Sequence, residues 1–69
     1  MSTHAGTVVA FDREAGLGTV RDDAGHEWPF HCIEISDGTR DIEVGTAVTF
    51  GTIAKLGRYE AAQVTRTES

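Results

Sequence analysis

The chain has a single cysteine, Cys32, in 69 residues, so no disulfide within it can brace the fold. A lone thiol fits a reducing compartment, and the cytoplasm is the expected location. No apolar run nears the roughly 20 residues a membrane-spanning helix needs. The polar Met1–Ala5 stretch does not read as a secretory signal. Basic residues are scarce: 6 Lys and Arg stand against 11 Asp and Glu, for a formal net charge of -5. A generic polyanion binder has the opposite balance, and the overall field repels phosphate. No amphipathic helical stretch of useful length, no internal repeat and no low-complexity segment is present.

Catalytic and metal patterns are also lacking. Zinc ligands usually arrive as paired motifs around a tetrahedral site; His26, His31 and Cys32 have no such pairing. His31 and Cys32 are neighbours that point to opposite sides of a strand. As a nucleophile and base they have no identifiable orienting acid. Asp22 and Asp23 read as turn formers. The expectation is a protein that is not an enzyme, with no cofactor, no metal and no small-molecule substrate.

What is present is a series of short strands. The length suits one small domain with a modest core, taken as 1–69 with an ordered part of about 6–66. Met1–Ala5 reads as a frayed end and Thr67–Ser69 as a tail. Gly6–Asp12 is the first strand, with Val8 inward and Ala10 outward. Arg13–Gly16 turns, with Gly16 supplying the permissive backbone. Leu17–Asp22 is the second strand, with Val20 inward. Gly18 within it marks strong bending or a close approach. After a turn at Asp23-Ala24-Gly25 comes the third strand, Glu27–His31. Trp28 and Phe30 share its inward face, and Pro29 and His31 the other. Pro29 cannot donate a ladder hydrogen bond, which places this strand at a sheet edge. Cys32–Ile35 reads as a helical turn. In the polar loop Ser36–Gly45, Ile42 and Val44 are expected to tuck inward. Thr46–Ile53 alternates clearly, with Val48 and Phe50 inward. Ala54–Arg58 turns around Gly57, and Tyr59–Thr65 is the fifth strand, with Ala62 and Val64 inward. Short strands at regular spacing with turn signals predict a small all-β barrel or sandwich.

These residues carry a family resemblance. Gly6-Thr7-Val8 and Phe11, then Gly16, Gly18 and Val20, then Glu27, His31 and Ile35, fall in the frame G-[KT]-V-K-W-F-N, K-G-[FY]-G-F-I, [DE]-[VL]-F-V-H-F-S-A-I. The tail adds Gly45, Val48-Thr49-Phe50 and Ala61-Ala62-Gln63-Val64. From Gly6 to Arg66 the chain resembles a bacterial cold-shock domain, with a slightly shorter Ser36–Val44 loop. The resemblance implies an all-β, five-stranded antiparallel Greek-key barrel of the oligonucleotide-binding (OB) type. It also implies single-stranded DNA or RNA as partner. In such domains, aromatic rings on an open sheet face stack on bases.

The chain departs from that pattern at the rings. Ala10 stands at the tryptophan position, Leu17 and Thr19 at the phenylalanines of the first motif, and Pro29 and Cys32 at the aromatics of the second. Val9 and Ala15 replace lysines. Phe11 and His31 remain, and Tyr59 supplies a ring near the proline of the tail motif. The nucleic-acid site expected is Phe11, Arg21, His31, Arg58 and Tyr59, with Arg58 beside Tyr59 as a small cation–aromatic clamp and with weak affinity. The substituted face is small-chained and mildly apolar, so a protein contact or a homodimer through it is the alternative.

Overall fold

The turns set the strand boundaries. Asp12 closes the first by accepting hydrogen bonds from the backbone N–H groups of Glu14 (3.0 Å) and Ala15 (3.2 Å). Gly16 follows at φ 70°, a conformation that glycine adopts without a Cβ penalty. Asp22 organises the next turn: its carboxylate accepts from Ala24 N and His26 N, both at 2.9 Å, and from the Trp28 indole Nε1–H at 3.0 Å. The last turn has only Leu56 (φ 49°) and Gly57 (φ 83°) between the paired Lys55 and Arg58. Two positive-φ residues are what the tight hairpin turn matching strand twist requires.

The structure, a computed structural model, describes residues 3–67. Between the turns lie β1 (His4–Asp12), β2 (Leu17–Asp22), β3 (Glu27–His31), a 3-10 turn (Cys32–Glu34), β4 (Ala47–Lys55) and β5 (Arg58–Arg66). All strand pairings in the sheet are antiparallel, in the order β3-β2-β1-β4-β5. Strands β1 to β3 form a meander and β4 returns to pair with β1, which is the Greek-key order. The sheet curls until its edges β3 and β5 approach each other. An Ile35–Val64 parallel bridge and the Trp28–Tyr59 ring contact lie along this seam. The result is the five-stranded OB-type barrel expected, with Pro29 on an edge strand.

The core follows the predicted alternation in most places. Val8, Val20, Phe30, Ile42, Val48, Phe50, Ala62 and Val64 are buried, joined by Ile35 and Ala61. Two inward expectations fail. Val44 is 62% exposed: Gly45 N–H bonds to Val8 O and Val8 N–H to Thr46 O, so the chain enters β4 with Val44 outside the barrel. Trp28 is only half-buried, because it caps one mouth of the barrel against His4 and Phe50. The bounds of three strands also move, β5 running Arg58–Arg66 rather than Tyr59–Thr65. His4 and Ala5 are not frayed; they pair with Phe50 and Thr49. Strand β4 starts at Ala47 rather than Thr46 and runs to Lys55. Met1 and Ser2, and Glu68 and Ser69 of the expected tail, lie outside the described residues.

Asp22 makes the β2–β3 hairpin sensitive to acid. Its carboxyl lies below the ordinary value of 3.8, chiefly through the Trp28 indole hydrogen bond. Burial opposes this, while the His26 and Ala24 backbone N–H groups and the charge of His26 add to it. A carboxyl whose folded value is lowered contributes stability above its unfolded value, and the contribution is lost as pH falls through the folded one. Acid-induced loss of thermal stability is therefore expected below about pH 4, and Asp22→Asn should show less of it. Melting temperatures of both proteins at about pH 5 and about pH 3 check this; equal acid sensitivity refutes it.

Candidate functional site

A bulge in β1 decides which side chains face outward. Val8 pairs with Val20 and Ala10 with Thr19, so Val9 is an extra residue that shifts the register. The inside–outside phase resets there. The outward surface of β1, β2 and β3 is then a grid of three rows: Asp12–Leu17–His31, Ala10–Thr19–Pro29 and Thr7–Arg21–Glu27. Phe11 falls on the other side, opposite Gly18 and Phe30. Its ring stacks on Phe30 with centroids 6.1 Å apart and planes at 13°.

The first two rows floor an open groove of about 670 Å³. Arg58, Glu60 and Ile33 form one wall, and the edges of Phe11 and Phe30 show beside Gly18. The floor is apolar or small except at its ends. Leu17 is 53% and Ile33 58% exposed. No aromatic side chain points outward from the middle row.

Of the residues expected to form the site, three are brought together: Phe11, His31 and Arg58 all line the groove. His31 caps the 3-10 turn, its Nδ1 accepting the Ile33 backbone N–H at 3.4 Å. That bond leaves the proton of a neutral ring on Nε2, a hydrogen-bond donor. The other two lie apart. Arg21 is on the outward grid but is held by Glu27 at 2.6 and 3.2 Å. Tyr59 does not line the groove; it lies edge-on to Trp28 at the barrel mouth, with centroids 6.5 Å apart at 82°. No Arg58–Tyr59 ring clamp forms, because successive strand residues point to opposite faces.

Elsewhere on the protein, Arg13 and Arg66 are paired with acids. Arg13 pairs with Asp41 at 2.9 Å, and Arg66 pairs with Asp37 and donates to Asp41 O at 2.8 Å. Among the described residues Arg58 is in no ion pair, which makes it the free guanidinium of the groove. Asp12 and Glu60 are the acids that line the groove with it. The sequence reading missed both, although Glu60 follows Arg58 by two and the strand period puts them on one side.

Comparison with solved structures finds matches, among them a Drosophila chain described as Unr CSD456. The match has a TM-score of 0.81 at 24% identity and covers 97% of this chain and 27% of that one. At that identity the likeness concerns the fold, and this chain spans about a quarter of the other's length. A search of curated proteins finds no match. The family model described as "'Cold-shock' DNA-binding domain" matches residues 4–67. That match takes in all five strands and the groove between them, so the chain belongs to the cold-shock domain family, whose members are single-stranded nucleic-acid-binding modules.

Proposed function

We propose that this domain binds single-stranded DNA or RNA weakly, through the groove over β1–β3, with a dissociation constant in the micromolar range or above. The observation that supports the reading is the ring-poor middle row Ala10–Thr19–Pro29. A base stacked on an aromatic side chain contributes about 1–3 kcal/mol. Losing several such rings removes several kcal/mol. The roles fall to His31, as donor from Nε2, to Arg58, as phosphate contact, and to the edge of Phe11. Arg21 borders the track but is neutralised by Glu27.

One unpaired guanidinium among the described residues of the groove, in a chain of net charge -5, predicts a shallow salt dependence. A contact to one phosphate on a single strand gives a slope of about -0.7 in log K against log salt. Fluorescence anisotropy of labelled oligothymidine at several salt concentrations measures both quantities. Arg58→Ala is expected to weaken binding and flatten the slope towards zero. Nanomolar affinity at moderate salt, or a steep slope, overturns the reading.

A second reading, a protein contact through the same face, is favoured by the exposure of Leu17 and Ile33. Light scattering after size exclusion, and a pull-down with and without nuclease, separate the two. A nuclease-resistant partner or a dimer favours the protein reading. The single Cys32 favours a reducing compartment, and the cytoplasm is our assignment.

A further inference from the structure

We infer that the domain carries a second base-stacking subsite outside the sheet face, on the ring of Tyr59 where it leans on Trp28 at the barrel mouth. The inference rests on the nucleic-acid reading above and names where the bound strand goes after the groove.

Tyr59 is 63% exposed, and it is the one exposed Phe, Trp or Tyr ring among the described residues. Phe30 and Phe50 are buried, and Phe11 and Trp28 are half-buried. With one edge-on ring contact and 63% of its surface exposed, Tyr59 offers open ring surface to a base. The backing is rigid. Trp28 is held by its Nε1–H bond to Asp22 at 3.0 Å and by ring contacts to His4 (5.8 Å) and Phe50 (6.4 Å). A ring braced in this way loses little freedom when a base settles on it, which is the advantage of a preorganised contact.

The position of Tyr59 in the chain links this ring to the groove. Arg58 immediately precedes it, lines the groove and is in no ion pair among the described residues. Strand period two sends the Arg58 side chain to the groove and the Tyr59 ring to the mouth. β5 is a sheet edge that meets β3 only along the seam carrying the Trp28–Tyr59 contact. A nucleic-acid strand crossing that edge can set a phosphate on Arg58 and its neighbouring base on Tyr59. The ring missing from the sheet face is thus supplied from beside it.

The test is oligothymidine binding by anisotropy for wild type, Tyr59→Ala and Tyr59→Phe, with Trp28 fluorescence recorded in parallel. Trp28 is the only tryptophan in the chain, so its emission reports on this mouth alone. Tyr59→Ala is expected to weaken binding by about 5- to 150-fold and to abolish the change in Trp28 emission on binding. Tyr59→Phe keeps both, because the ring and not the hydroxyl carries the contact. Equal affinity of wild type and Tyr59→Ala overturns the subsite and leaves the groove reading standing. No binding by wild type overturns both. Melting curves should show Tyr59→Ala still folded, since the ring it removes is mostly solvent-exposed.

Discussion

Replacing Gly18 by alanine is expected to lower the melting temperature by roughly 10–20 °C. A Cβ at this position would lie 2.4 Å from Phe30 Cζ, 2.6 Å from Phe30 Cε1 and 2.9 Å from Phe11 Cδ1. Phe30 is buried and stacked on Phe11, so neither ring can swing away cheaply. Overpacking of this kind costs about 1–3 kcal/mol, and in a domain of this size each kcal/mol moves the midpoint by about 4–8 °C. The comparison is Gly25→Ala, where a Cβ meets nothing within 4 Å and the cost is confined to a φ of +90°. If the rings over Gly18 are the cause, Gly18→Ala will cost less in a Phe30→Leu background than in the wild type. Contacting positions couple in this way and distant ones do not. Additive costs in that double-mutant cycle would show that the glycine serves another purpose. A functional consequence follows too: Gly18 lets the edges of Phe11 and Phe30 reach the groove, so its alanine variant should also bind more weakly.

Restoring rings to the open face should produce the largest gain in binding. Ala10→Trp together with Thr19→Phe is expected to tighten oligothymidine binding by at least about 25-fold, taking the low end of about 1 kcal/mol per stacked base. The two positions are direct cross-strand partners, and such neighbours lie about 4.5–5.5 Å apart at Cβ. Both new side chains are uncharged, so net charge and long-range attraction for phosphate stay constant. Any gain is then a stacking gain, and the salt slope should not steepen. Val44→Phe is the control: Val44 is exposed but lies outside the groove, and its variant should bind like the wild type. Anisotropy titrations at one salt concentration decide the matter. A folded double variant with unchanged affinity would mean that bases do not cross this face, and would favour the protein-contact reading.

The sequence alone revealed the strands best where the signals are local. Leu17–Asp22 and Glu27–His31 are found at the expected bounds, because each is flanked by Asp and Gly turn residues and alternates without interruption. Pro29 announced an edge strand by the hydrogen bond it cannot donate, and Gly18 a close approach by the side chain it lacks. The absence of rings from positions 10, 17, 19, 29 and 32 is likewise a matter of sequence. It depends on no geometry beyond the frame of the family.

The tertiary structure decided what depends on pairing between strands. Period two, counted along β1 from Val8, puts Phe11 outside; the ladder skips Val9, and Phe11 turns in against Phe30. Expecting Val8 inward and Ala10 outward already breaks the alternation, but that the skipped residue is Val9 is a property of two strands in register. Arg21 looked like a free cation until β3 brought Glu27 beside it. Tyr59 looked like part of the groove until the closing seam set it against Trp28. Local propensity and alternation act through neighbours in the chain, and these the sequence states outright. Which ring stacks, which charge is cancelled and which face stays open depend on residues far apart in sequence, and only the closed barrel brings those together.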